Sequence, residues 1–275
     1  MTAIPEPRNV GLVIVGDEIL SGKRADKHLP KVIELLAARG LSLSWARYVG
    51  DDRERITADL KDAFAGGDAV FSCGGIGATP DDHTRQCAAA ALGVPLALHP
   101  EARDFVLERM RDVAREQGKP FEPDRDDNRH RLNMAVFPEG AGIIPNPYNK
   151  IAGFSVRQGE GGVFFVPGFP VMAWPMIEWV LDTVYAGLHS RSGPRERSVI
   201  VFGSMEATLT PLMEAIESGF PGIKVFSLPS VDHPEWGRHI ELGVKGDAAK
   251  LDTAFGSLLD GLRAQEAKLG PELVR

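Results

Sequence analysis

Cysteine is nearly absent from this chain, and the two present, Cys73 and Cys87, lack the CxxC spacing of a zinc or redox site. That scarcity also excludes a disulfide-stapled secreted scaffold and makes a reducing cytoplasm the expected location. Dense Lys/Arg clusters are missing too: 31 basic residues against 38 acidic ones leave a formal charge of −7. A molecule of that sign repels nucleic acid and anionic membranes, so neither is an expected partner, and any anionic ligand must be held locally. The N-terminal MTAIPEPRN has no basic stretch followed by an apolar one. No apolar run approaches the roughly 20 residues needed to span a bilayer. The longest candidate, Val163 to Val184, is cut by Pro167, Pro170 and Pro175 and reads as soluble. The seven histidines show no HExxH or other metal spacing, and His83 reads as a surface helix residue. No Ser/His/Asp arrangement suggests a nucleophile, and Cys73 reads as packing. Internal repeats and low-complexity tracts are also absent.

What is present is an ordinary globular balance of 43% hydrophobic and 25% charged residues, with length enough for two domains. Val10 to Val15 (VGLVIV) is a short β-branched run of the kind covered on both faces of a sheet. Apolar residues then recur at helical spacing from Lys27 to Arg39, with Gly40 placed as a C-cap. Leu41 to Val49 and Ala69 to Cys73 read as further strands, and Arg53 to Phe64 as the helix between them. This alternation predicts a parallel sheet with helices on both sides. Helices follow at Thr84 to Leu92 and Ala102 to Gln117, and the polar segment from Lys119 to Arg131 reads as an exposed loop. Strands are expected at Ala135 to Phe137, Phe154 to Arg157 and Gly162 to Val166, with a helix from about Ala173 to Leu188. The stretch HSRSGPRER, His189 to Arg197, has the composition of a linker. It separates an α/β domain (residues 1–190) from a small α+β module (residues 198–275) of order β-α-β-β-α. The module's last helix is expected over Ala248 to Leu269.

The stretch CGGIGATPDDHT, Cys73 to Thr84, is the richest in possible chemistry. It joins a buried strand to a helix, where backbone N–H groups and the positive end of the helix dipole face an anion. Gly74, Gly75 and Gly77 allow close backbone approach. No GK[ST] follows, which excludes a P-loop, and the third Gly of GxGxxG is missing, which excludes a dinucleotide fingerprint. Another phosphate or pterin cradle remains, beside the plainer alternative of a tight turn in which Thr79 or Asp81 caps the helix. The adjacent carboxylates Asp81 and Asp82 suggest that one caps while the other holds Mg²⁺ against a phosphate. Three more loops fall on the same sheet edge: VGDEILSG with Asp17 and Glu18, VGDD with Asp51, and PNPYNKIAGF with Asn146. Each alone also reads as a polar turn or cap.

In that order, GDEILSG, VGDD, GGIGATPDDHT, PNPYNKIAGF and VPGFP resemble the molybdopterin-binding domain family over roughly Val10 to Leu188. That family includes MoaB/Mog proteins, the N-terminal part of competence/damage-inducible CinA proteins, and a domain fused to eukaryotic FAD synthetases. The resemblance implies a three-layer α/β domain with a mostly parallel sheet, and the second module is similar to the second domain of CinA-like proteins. It further implies ligand contacts at Asp17, Glu18, Gly74, Gly75, Gly77, Thr79, Asp81, Thr84, Asn146, Pro167 and Gly168. Asp51 and Asp82 match residues associated with Mg²⁺-dependent adenylyl transfer, with Asp82 as the expected metal ligand. The implied function is binding of molybdopterin or a related adenine nucleotide in molybdenum cofactor metabolism. The alternatives are a CinA-like metal-dependent ADP-ribose pyrophosphatase and a non-catalytic binding or regulatory module. Self-association into a homo-oligomer is also implied. The sequence departs from the family pattern at Ala78 (usually Pro), at Lys27 and His28 (usually Thr-Asn), at Asn149 (usually Gly) and at Met172 (often Glu). Asn149 is expected to tolerate a left-handed backbone in place of that glycine. The amidase domain of longer CinA proteins has no counterpart here, so nicotinamide-mononucleotide deamidation is not expected.

Overall fold

The computed structural model describes residues 7–189 and 195–274, and it divides into two compact units, the first ending at His189. The first unit begins β1 (Val10–Val15), α1 (Asp17–Leu20), α2 (His28–Ala37), β2 (Trp45–Val49), α3 (Arg53–Gly66), β3 (Ala69–Cys73) and α4 (Thr84–Leu92). It continues β4 (Leu96–Leu98), α5 (Pro100–Glu116), α6 (Asp126–Arg131), β5 (Val136–Pro138), β6 (Gly142–Ile144), β7 (Gly153–Gln158), β8 (Gly161–Val166) and α7 (Pro170–Thr183). Six strands form the main sheet in the order β2-β1-β3-β8-β7-β6. The first four run parallel, while β7 is antiparallel to both of its neighbours. β4 and β5 pair separately as a short antiparallel ribbon.

The two-residue period of a strand divides the core between the two faces. Along β1, Val13 and Val15 pack with Ile56 and Leu60 of α3, Ala88 of α4 and Val106 of α5. Leu12 and Ile14 point the other way, toward Val32 and Leu36 of α2 and Ile177 and Val180 of α7. Both sets are almost fully buried, which is why the run VGLVIV is apolar at every position rather than alternating. Phe154 lies between Phe137 and Phe165, with ring centroids 4.8 and 4.2 Å away, and fixes the antiparallel β7 against its parallel neighbour.

The chain passes from β1 outward to β2 and then crosses back over β1 to β3, so the strand order reverses between β1 and β3. In doubly wound sheets a crevice opens there, beyond the carboxyl ends of the strands. The loops after β1, β2, β3 and β8 all emerge at that edge. Because β6 runs antiparallel to β7, the loop joining them emerges there as well.

Several elements differ from expectation. The 119–131 segment is not wholly a loop: it ends in α6, anchored by Asn128, whose buried amide donates to the Glu122 carbonyl at 2.7 Å. That anchor is one hydrogen bond, with no apolar periodicity to announce it. β4 and β6 span three residues each, too few for an alternation to register. The left-handed backbone falls on Lys150 (φ 67°) rather than on Asn149.

The second unit comprises β9 (Arg195–Phe202), α8 (Glu206–Gly219), β10 (Ile223–His233), β11 (Gly237–Gly246), α9 (Ala248–Ala264) and β12 (Lys268–Val274). Its antiparallel sheet has the order β10-β11-β9-β12, with Leu258 and Leu262 of α9 and Leu209 of α8 packed against one face. The order β-α-β-β-α is thus corrected by a fourth strand, since the last helix stops at Ala264 rather than Leu269. Glu266, at φ 56°, turns the chain. Gly270 and Pro271 conceal the strand in the sequence, because neither suits a ladder. β12 accommodates them as an edge strand whose pairing shifts between Leu269 and Glu272. Of the expected linker, residues 190–194 lie outside the described residues, and Arg195 to Arg197 already belong to β9. No helix of the described residues is long and apolar enough to cross a membrane.

Candidate ligand-binding site

The Gly-rich loop leaves β3 with Gly74 at φ 106° and Gly75 at φ 68°. Side chains are excluded there by space as well as by backbone conformation. A Cβ on Gly74 would stand 2.4 Å from the Val15 carbonyl oxygen, and one on Gly75 would stand 2.1 Å from Thr84 Oγ1. Thr84, at the first turn of α4, holds the loop in place: its N–H donates to the Gly75 carbonyl at 2.9 Å and its hydroxyl to the Gly74 carbonyl at 3.1 Å. Within the loop, Asp82 Oδ2 accepts from both the N–H (2.8 Å) and the hydroxyl of Thr79. Neither Asp81 nor Asp82 caps α4, whose N-cap is His83 with no side-chain capping bond. The backbone N–H groups of Gly75, Ile76, Gly77 and Ala78 have no hydrogen-bond partner among the described residues.

These residues line a cavity of about 600 Å³ together with Glu18, Asp51, Asp81, Asp82, Pro167 and Gly168, a size suited to a nucleotide or pterin. Ten of the sequence-derived candidates therefore meet: Glu18, Asp51, Gly74, Gly75, Gly77, Thr79, Asp81, Asp82, Pro167 and Gly168. Three do not reach the cavity wall. Thr84 is buried behind the loop. Asp17 is engaged with Asp51: its N–H donates to Asp51 Oδ2 at 3.0 Å while its Oδ1 accepts from the Asp51 N–H at 3.2 Å. Asn146 is buried, and its amide is spent inside its own loop on Tyr148, Asn149 and Ile151.

Acidic charge collects on one side. Burial pushes the Asp51 carboxyl above the ordinary carboxylate range, and the charges of Asp17, Asp81 and Glu18 push it the same way. The one basic side chain lining the cavity is Arg24, which has no ion-pair partner among the described residues. Among the described residues no three His, Cys, Asp or Glu side chains are grouped as a ligand set for a metal. A divalent cation would therefore need oxygens from the ligand's phosphate beside one or two carboxylates, the usual manner of Mg²⁺ binding. Burial pushes the Cys73 thiol up as well, so it stays protonated, in line with a packing role.

Sequence reasoning missed two arginines because only tertiary structure reveals their positions. Arg24 follows α1 on an exposed loop and enters the cavity wall through the fold. Arg85, the second residue of α4, is buried and donates to the Ile76 carbonyl at 3.1 Å and the Gly77 carbonyl at 2.6 Å. Both bonds tie the loop's carbonyls to the first turn of α4. Arg85→Met would keep the apolar volume but leave the buried Ile76 carbonyl and the half-buried Gly77 carbonyl unpaired, which costs about 1–3 kcal/mol for the buried one and less for the other. A melting temperature lowered by several degrees, with ligand affinity lowered in parallel, is expected from thermal denaturation and calorimetry. An unshifted midpoint would show that the loop holds itself.

A family model described as "Probable molybdopterin binding domain" matches residues 11–186, well over half of the chain. The chain belongs to this family. Among curated relatives of this molybdopterin-binding domain protein, a CinA-like protein of Citrifermentans bemidjiense is 36% identical over 93% of the chain and 58% of the relative. A CinA-like protein of Geobacter sulfurreducens is 30% identical over 96% of the chain and 60% of the relative. The chain thus spans little more than half the length of these two relatives, and the matches run through both units. The solved structure of CinA from Thermoplasma acidophilum, a protein described as of unknown function, is similar with a TM-score of 0.53 at 24% identity. It covers 64% of the chain and 99% of the solved chain, supporting the α/β fold of the first unit.

Proposed function

We propose that the cavity binds a phosphorylated adenine nucleotide or molybdopterin, with a phosphate seated on the Gly75 to Ala78 backbone, and makes or cleaves a phosphoanhydride bond. The observation that carries this reading is the row of four backbone N–H groups without partners in a loop that Thr84 and Arg85 hold rigid. Such a row supplies donors for phosphate oxygens with no reorganisation. Asp51, with Asp82 Oδ1 and Glu18 nearby, would hold a divalent cation against that phosphate. When bound, the cation supplies neutralisation of the charge that builds on the phosphoryl oxygens. Arg24 would contribute a second positive charge at the cavity mouth, and Phe169 and Met172 at the start of α7 would complete the wall.

Hydrolysis of ADP-ribose is the more specific reading, favoured by the CinA-like relatives whose similarity spans both units of this chain. For that reaction Asp51 would hold the cation that, when bound, supplies activation of a water. Calorimetric titration with AMP, ADP-ribose and molybdopterin, with and without Mg²⁺, tests binding. Appearance of AMP from ADP-ribose tests turnover. Metal-dependent binding of a nucleotide with release of AMP is the expected result. Binding without turnover of any substrate would assign the chain to the non-catalytic class, and absence of binding to all three ligands would overturn the proposal.

A further inference from the structure

One wall of the cavity carries two side chains that touch each other, Asn149 of the loop between β6 and β7 and Met172 in the first turn of α7. Asn149 Nδ2 donates to Met172 Sδ at 3.2 Å, and both residues line the cavity. The orientation of the Asn149 amide is fixed by its neighbours. Its Oδ1 accepts from the Ile151 backbone N–H at 3.0 Å and from Asn146 Nδ2 at 2.8 Å. A backbone N–H can only donate, so the oxygen must face it. Asn146 is oriented in the same way, since its Oδ1 accepts from the Tyr148 N–H at 3.0 Å. Two donors therefore fill the Asn149 oxygen, and its NH₂ group is left with one thioether, a weak acceptor. The result is a donor presented toward the cavity in a wall otherwise formed by Met134, Ile151 and Met172.

Position along the sheet decides which part of a ligand meets this donor. The Gly-rich loop leaves β3, and the loop bearing Asn149 joins β6 to β7, the strands beyond β8. At 4.7–4.9 Å per strand, that separation is roughly 10 Å or more, the distance from a nucleotide's phosphate to the far edge of its base. We propose that Asn149, held by Asn146 and Ile151 and backed by Met172, selects a base whose ring nitrogen on that edge is a hydrogen-bond acceptor. Adenine has such an acceptor at N1. The amino-pyrimidinone edge shared by guanine and pterins presents an N–H there and meets a donor with a donor. Methionine sulfur against the ring faces adds affinity without selecting between bases. The proposal rests on the nucleotide reading of the same cavity and narrows it to an adenine nucleotide.

Calorimetric titration of the full chain with AMP and with GMP, in the wild type and in Asn149→Asp, tests it. Aspartate keeps the acceptor for Ile151 and Asn146 and removes only the donor, so the loop is retained. Its added charge repels both phosphates alike and leaves their ratio unmoved. The expected result is a wild-type preference for AMP of about tenfold or more, lost or inverted in Asn149→Asp. Met172→Leu, which removes the sulfur alone, should weaken both nucleotides while keeping the preference. Equal wild-type affinities, or an AMP preference unchanged in Asn149→Asp, would overturn the assignment while leaving the phosphate site standing. Failure of the wild type to bind either nucleotide would overturn the nucleotide reading, and this assignment with it.

Discussion

Gly74→Ala is expected to destabilise the first unit by about 2–4 kcal/mol and to abolish ligand binding. Two costs add. A non-glycine residue at φ 106° lies outside the favoured backbone regions and costs about 1–3 kcal/mol. The new Cβ would stand 2.4 Å from the Val15 carbonyl oxygen, a backbone atom of the central strand β1 that cannot move aside without disturbing the sheet. Relief would come by displacing the Gly-rich loop, and with it the Gly75 to Ala78 N–H groups. Thermal denaturation should show a lower midpoint for this unit, and titration should show no binding even well below the new midpoint. A folded variant with unchanged affinity would mean that the phosphate is not seated on this loop.

Asp51→Asn separates metal from ligand. The folded-state proton affinity of Asp51 is raised, so its stabilising contribution is present below the unfolded carboxyl range and is lost as pH rises through the folded value. At neutral pH the ionised carboxylate is therefore a small cost that asparagine removes. Asn also keeps an oxygen for the Asp17 N–H, so the fold should be retained with a slightly raised midpoint. Without Mg²⁺, AMP should bind as well as or better than to the wild type, because one negative charge has left the cavity. Mg²⁺ should no longer improve binding, and turnover of ADP-ribose should fall about 10²-fold or more. Retained metal dependence would move the cation to Asp82, whose Oδ1 is the remaining candidate.

The Gly-rich side of the cavity was legible in the sequence because its backbone constraints fall on particular residue types. Glycines that must adopt positive φ, an acidic residue directly after a strand, and a threonine at the first turn of a helix each leave a residue-level trace. The other side was not legible. Arg24 and Arg85 act through positions that only the folded chain brings to the loop, and Asn146 is spent inside a loop where sequence reading placed it on a ligand. Asn149 and Met172 stood out as departures from a pattern, yet nothing in the one-dimensional chain shows that they touch. In the second unit Gly270 and Pro271 masked β12, since an edge strand tolerates residues that an interior strand excludes.

The antiparallel course of β7 has one more consequence. β1, β2, β3 and β8 each lead into a helix, so lengthening or reshaping their terminal loops shifts a helix that packs on the core. The turn between β6 and β7 has no such obligation, because the chain simply reverses. The Asn149 turn can thus be rewritten without lengthening the chain between β3 and α4 that forms the Gly-rich loop.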